Sequence, residues 1–246
     1  EQLYMEGELM VSQREGFQKV YDLTENVLPS HINTEEPTLA EFAGHLLDQQ
    51  LRCHGLVSLK GITYLRKNTG LRDAVKSLVD KRLAQGELEQ VRVSSGEVFL
   101  IKTGALDQTM PRLSNRLSIL SPFDNSVIQR DRLKSLFQYD YQIECYVPEA
   151  KRQFGYFCLP LLYRAEFIGR IDCKAHRKEG RLEIKALYFE QSDFKNRGFD
   201  EDTFIADFSD AMAHFCQFQQ CETVSLTKVY PEHLAVHLKA ALLNIN

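Results

Sequence analysis

The chain has 246 residues, 43% hydrophobic and 26% charged, with a net charge of −4. That supply of apolar side chains suits one large core or two modest ones and excludes a disordered chain. No apolar run is long enough to span a bilayer, and the first residues, Glu1-Gln2-Leu3-Tyr4, lack the basic start and apolar stretch of a secretory signal.

In chain order, residues 8–11 and 17–23 are short runs of alternating polarity around a turn at 12–16, which predicts a β-hairpin. A lone hairpin is marginal in water and needs helices to cover it. Little precedes this one, and position 1 is not Met. The expectation is therefore a piece of a longer protein. Residues 29–37, bounded by Pro29 and Pro37, read as a polar linker.

Three helices are expected next. Residues 38–51 open with Thr38 and Glu41 at capping-box spacing, and Leu39, Phe42, Ala43, Leu46, Leu47 and Leu51 recur at the helical period. Residues 58–65 form a short second helix capped by Ser58. Residues 69–85 form a third, with Leu71, Val75, Leu78, Val79 and Leu83 inward. A second hairpin follows, 88–93 and 98–101 around Ser94-Ser95-Gly96. Three helices and a hairpin within about seventy residues make the pattern of a winged helix-turn-helix. Its third helix normally enters the major groove. Here that helix carries Arg72, Lys76, Lys81 and Arg82, a face that fits DNA contact and a solvated scaffold equally well.

From residue 112 the texture becomes short strands, at 117–120, 141–147, 155–162, 167–174 and 182–189, interrupted by a helix at 130–137. Regular short strands predict an antiparallel, barrel-like sheet. A helix at 202–219, a strand at 223–229 and an amphipathic helix at 232–243 complete the chain. The fold class is thus α+β: a winged helix-turn-helix, then a barrel-like domain with C-terminal helices.

Charge is unevenly spread: residues 1–40 carry −6 and 186–246 carry −5, whereas 112–185 carry 14 basic and 9 acidic side chains. A basic middle between acidic flanks can grip a polyanion. The six cysteines form no CxxC pair and no metal-ligand spacing, so they read as reduced thiols with no metal. No cofactor is expected.

The run Leu120-Ser121-Pro122-Phe123-Asp124, then Arg130-Asp131-Arg132 and Leu136-Phe137, is the first landmark. Residues 139–148, Lys151-Arg152-Gln153-Phe154-Gly155-Tyr156-Phe157 and Leu159-Pro160-Leu161-Leu162 extend it, and Gly16 to Thr24 with Pro29 adds an upstream match. This pattern resembles the YcaQ/AlkZ family of crosslink-repair DNA glycosylases. The resemblance implies three tandem winged helices held by a β-barrel. Mapped here, 1–35 would hold the wing hairpin of a second, truncated winged helix plus linker. Residues 36–102 would form the third winged helix, and 103–246 the barrel.

It also implies cleavage of the N-glycosidic bond of alkylated or crosslinked purines in double-stranded DNA by a cytoplasmic, monomeric bacterial enzyme. That chemistry needs a polar group to position water and a carboxylate to activate it or steady the sugar cation. The family supplies them as Gln-hydrophobic-Asp or Gln-hydrophobic-Gln in its first winged helix, which would lie upstream of Glu1. Gln129-Arg130-Asp131, Gln191-Ser192-Asp193 and Gln217-Phe218-Gln219 approach the pattern but are read as coincidence, so no catalytic residue is assigned in this chain.

DNA grip is assigned to a hairpin at 169–185 with a basic tip, Lys174, His176, Arg177, Lys178 and Arg181. A basic ribbon suits the narrow, negative minor groove, where the family's hairpin would project. Lys151 and Arg152 are a second candidate pair, and Arg72 and Lys76 a third. Asp124, Arg130, Arg132 and Glu144 are expected to form a buried ion network. Tyr139, Tyr141, Tyr146, Tyr156 and Phe157 are expected in the core. Two other readings remain open: a non-catalytic winged-helix regulator and an interaction scaffold that never meets DNA.

Overall fold

The computed structural model describes residues 1–109, 111–112, 116–190 and 200–245. The described elements in chain order are α1 (Gln2–Met5), β1 (Leu9–Glu15), β2 (Gln18–Leu23), α2 (Thr24–Val27), α3 (Leu39–His54), α4 (Leu59–Ile62) and α5 (Thr69–Ala84). There follow β3 (Leu88–Arg92), β4 (Val98–Lys102), β5 (Leu117–Ile119), α6 (Arg130–Phe137), β6 (Cys158–Tyr163) and β7 (Glu166–His176). The last are β8 (Arg181–Phe189), α7 (Glu201–Gln219), β9 (Thr223–Tyr230) and α8 (Ala235–Leu242). The architecture is α+β.

The first hairpin turns later than expected. β1 runs on to Glu15, and Gly16 at φ 62° makes a two-residue turn with Phe17, pairing Glu15 with Gln18. Glycine adopts that positive φ without the steric penalty of a Cβ.

Residues 38–102 build their own core. The capping box forms as expected: the Glu41 amide donates to Thr38 Oγ1 at 3.3 Å, and Thr38 N donates to the Glu41 carboxylate at 2.8 Å. Ser58 caps α4 through the Gly61 amide, and Leu65, at φ 61°, lies beyond that single turn. Ala43, Leu46, Leu47 and Leu51 of α3 meet Leu71, Val75 and Val79 of α5. Leu88 and Leu100 of the β3–β4 hairpin close the cluster.

Beyond residue 115 the described strands form one five-stranded sheet in the order β5-β6-β7-β8-β9. The barrel expectation is corrected here: among the described residues the sheet is open, with β5 and β9 at its edges. It is also mixed. β9 runs parallel to β8, which it reaches through the crossover helix α7.

The expected strand at 141–147 is loop. Its alternating aromatics mark other contacts. The Tyr141 hydroxyl donates to the Cys158 carbonyl at 2.6 Å, and Glu144 gathers backbone amides from farther along the chain. The strand expected at 155–162 begins three residues late, at Cys158.

One sheet face packs against α7 and α8, where Leu161, Ile171, Ile184 and Leu187 meet Phe204, Phe208, Met212 and Leu238. The bulge at the Asp172–Cys173 register shift pairs Cys173 with Ile184, skipping Lys185, and so keeps Ile184 and Leu187 on the same face. The Val127, Leu133, Tyr139, Tyr141 and Phe167 cluster forms a separate core around α6. There the buried Arg170 guanidinium lies 4.0 Å from the Phe154 ring and 4.9 Å from Tyr139, and donates to Glu190 at 2.7 Å and to the Asp140 carbonyl at 3.0 Å. No helix among the described residues is long and apolar enough to cross a membrane.

Candidate nucleic-acid interface

The β7–β8 hairpin carries five of the nine candidate residues. Its strands pair Lys174 with Glu183 and His176 with Arg181, and a single 3-10 turn, Arg177–Glu179, caps the ribbon. Gly180 closes that turn at φ 61°, and its carbonyl accepts the Glu222 and Thr223 amides. The tip is thereby sewn to the start of β9. A second brace runs from Arg177 Nη2 to Gln219 Oε1, 2.9 Å, at the end of α7.

The five side chains divide by environment. His176 lies 2.9 Å from Glu183, and Arg181 donates to Glu179 at 2.9 Å. The bond from His176 holds the Glu183 carboxyl below the usual carboxylate range. Both side chains are thus engaged by carboxylates. Lys174, Arg177 and Lys178 are exposed, and none of the three forms an ion pair among the described residues. The outward charge of the tip rests on them.

Lys151 and Arg152 sit in the loop that replaces the expected strand. The Glu144 carboxylate accepts the amides of Gln153, Phe154 and Gly155 at 2.8–3.1 Å. Burial raises this carboxyl, but the three amides outweigh it and leave Glu144 below its ordinary range. Closing the loop this way exposes Lys151, while Arg152 donates to the Val147 carbonyl at 2.9 Å and lies 5.0 Å from the Tyr156 ring. Gly155, at φ 145°, has no alternative here, because a Cβ would come within 2.3 Å of Asp172.

The aromatic cluster expected in the core is split. Tyr139 and Tyr141 are buried, whereas Tyr146, Tyr156 and Phe157 are exposed on this loop. Nor do Asp124, Arg130, Arg132 and Glu144 form an ion network. Arg130 donates to the Val127 and Pro122 carbonyls, and Arg132 to the Leu56 and His54 carbonyls at 3.1 and 2.9 Å. Asp124 accepts from Ser126. These charges are met by backbone and hydroxyl groups in place of one another.

Arg72 and Lys76 are exposed on α5, part of the other core, and no hydrogen bond or ion pair links them to the hairpin. Arg82 leaves that basic face: it pairs with Asp48 at 2.5 Å across the α3–α5 contact.

The approximate motifs have other occupations. Gln129 is buried, and its Nε2 donates to Gln50 Oε1 at 2.7 Å and to the Gly61 carbonyl at 3.2 Å. It joins α3 and α4 to the segment before α6, a link that sequence spacing missed. Gln219 is held by Arg177, and Phe218 is exposed. Gln191-Ser192-Asp193 lies outside the described residues. Among the described residues no group of three or more His, Cys, Asp or Glu side chains could hold a metal ion.

The sequence matches the family described as "DNA glycosylase AlkZ-like" over residues 1–218. Among solved structures, the fold is similar to Streptomyces sahachiroi DNA glycosylase AlkZ, with a TM-score of 0.55 and 14% sequence identity. The similarity covers 91% of this chain and 55% of that one, so the chain spans about half the length of the protein it matches.

Proposed function

The chain belongs to the AlkZ-like DNA glycosylase family, and we propose on that basis that residues 1–246 supply the DNA grip and scaffold of a monofunctional glycosylase. Its substrate would be double-stranded DNA carrying alkylated purines, including interstrand crosslinks. The observation that carries this reading is the braced β7–β8 tip, which presents Lys174, Arg177 and Lys178 without carboxylate partners. A rigid ribbon with outward cations fits the negative potential of a minor groove. Lys151 and Arg152 extend the grip. His176 and Arg181 support the tip and are available to DNA at its margin.

In this reading residues 36–102 act as a winged helix-turn-helix, with Arg72 and Lys76 of α5 toward phosphates, and residues 1–35 are the wing of another. The reading puts bond cleavage outside these residues. Gln129 is buried and bonded to Gln50, and the side-chain oxygen of Gln219 accepts from Arg177, so neither offers an accessible oxygen to a water.

The test pairs two assays. The 246-residue chain should bind duplex DNA weakly, with affinity falling steeply as salt rises, because binding of this type releases counterions from phosphates. It should release no base from an alkylated duplex, whereas a chain extended upstream should. Base release by residues 1–246 alone would overturn the assignment of catalysis elsewhere. Duplex binding without base release by the extended chain would favour a non-catalytic winged-helix regulator. Undetectable or salt-independent binding would leave an interaction scaffold.

A further inference from the structure

A cleft of about 650 Å³ opens beside the basic hairpin. Its walls come from the loop after β5, from β7 and β8, and from the last turn of α7. The floor is apolar, with Leu159, Leu182 and Phe215 among its residues, and Lys174 and Arg177 are its charged side chains. Among the described residues no acidic side chain lines it. Two aromatic rings at the cleft are left in water: Phe218 is 79% exposed and Phe157 is 37% exposed.

We propose that this cleft receives one unstacked nucleotide of a DNA strand, its base against Phe218 or Phe157 and its phosphates against Lys174 and Arg177. The proposal rests on the reading of the hairpin as a DNA grip, since Lys174 and Arg177 belong to both.

The size is right for one base with its sugar, because small-molecule sites span roughly 300–1,000 Å³. The chemistry selects the occupant. A ligand that covers apolar floor and exposed rings must be flat and apolar, and one that meets two cations without any carboxylate must be anionic. A nucleotide combines both, and stacking on an aromatic ring does not depend on which base it is. Gln219 adds a polar group: its Oε1 accepts from Arg177, which leaves its amide N–H groups for a base edge. An acidic amphipathic peptide shares part of this chemistry. The nucleotide is favoured because the cations at the cleft continue directly into the hairpin tip. Gln217-Phe218-Gln219, a literal match to the catalytic pattern, thereby gains a different role, as a stacking platform at the end of α7.

The chain contains no Trp, so Phe218→Trp would make a lone indole reporter at the cleft. The 246-residue variant would be titrated with single-stranded oligothymidylate, with an intact blunt duplex and with an acidic amphipathic peptide, following both indole emission and anisotropy of labelled DNA. The expected result is strong quenching by the single strand and little by the duplex. Phe218→Ala should weaken single-strand binding roughly 5- to 150-fold, the range for loss of one base stack. Phe157→Trp provides a second reporter, should the first variant be misfolded by circular dichroism. Duplex binding with no quenching by the single strand at either reporter would overturn the cleft and leave the grip intact. Loss of all DNA binding would overturn both. Quenching by the peptide and not by DNA would overturn the nucleotide in favour of a protein ligand.

Discussion

Arg177 Nη2 donates to Gln219 Oε1 at 2.9 Å, fastening the tip of the β7–β8 hairpin to the last turn of α7. The same side chain is one of the exposed cations of the tip, so it serves as both brace and charge.

Those two roles separate by mutation. Gln219→Ala removes the brace and keeps the charge: amide exchange at residues 177–180 should speed up, while the salt dependence of duplex binding stays the same. Lys178→Ala removes charge alone and should lower the salt slope by about 1, the effect of one lost phosphate contact. Arg177→Ala should do both. Hydrogen exchange and anisotropy titrations at several salt concentrations would check the set. An unchanged slope in Lys178→Ala and Arg177→Ala would remove the tip from the interface.

Gly61→Ala should loosen the junction between α4 and the segment before α6. The added Cβ would meet Gln129 Oε1 at 2.6 Å, and Gln129 is buried and already committed to Gln50. Overpacking of this kind costs about 1–3 kcal/mol. A thermal melt should show the loss, and Gln129→Ala in the same chain should restore part of it by making room.

Two buried carboxyls should respond to pH with opposite signs. Glu144 is held below its ordinary range, so its contribution is present above the unfolded Glu value of about 4.3 and is lost as pH falls through the folded one. Glu144→Gln, which can offer one oxygen to the three amides, should therefore destabilise by about 1–3 kcal/mol at neutral pH. The difference should close in acid. Asp172 is raised by burial, so the folded chain favours its protonated form, and a penalty grows as pH rises above about 3.9. Asp172→Asn should match the parent chain in acid and melt at a higher temperature near neutrality. Melting curves from pH 3 to 8 would show either pattern; parallel curves would refute both.

The thiols should sort by burial. Burial pushes the Cys158 and Cys173 thiols up to about 12 and Cys216 to about 11. Cys53 is exposed, and all six cysteines are free. Alkylation of the native chain at pH 8, followed by mass spectrometry, should label Cys53 well before those three. Early labelling of Cys158 would contradict the packing around it.

Much of the helical core was legible. Thr38 and Glu41 announce α3 because a capping box is local chemistry, and the spacing of Leu46, Leu47, Val75 and Val79 follows from one helical period. The basic tip was legible too, since Lys174 to Arg181 is one contiguous stretch. Other features were not. Tyr141 to Val147 alternates like a strand, yet Glu144 draws its amides from residues 153–155 and holds the segment as a loop. Arg132 resembles a partner for a carboxylate, but it donates instead to the carbonyls of His54 and Leu56, remote in sequence.

The sequence by itself determined the elements built from neighbouring residues and the family, because caps, periods and motifs are written along the chain. Only the tertiary structure decided which cations remain outward and that, among the described residues, the sheet is open with β9 parallel to β8. It alone joined Phe157 and Phe218 in one cleft beside Lys174. Each of these depends on groups far apart in sequence competing for the same partner, and that competition is resolved by packing.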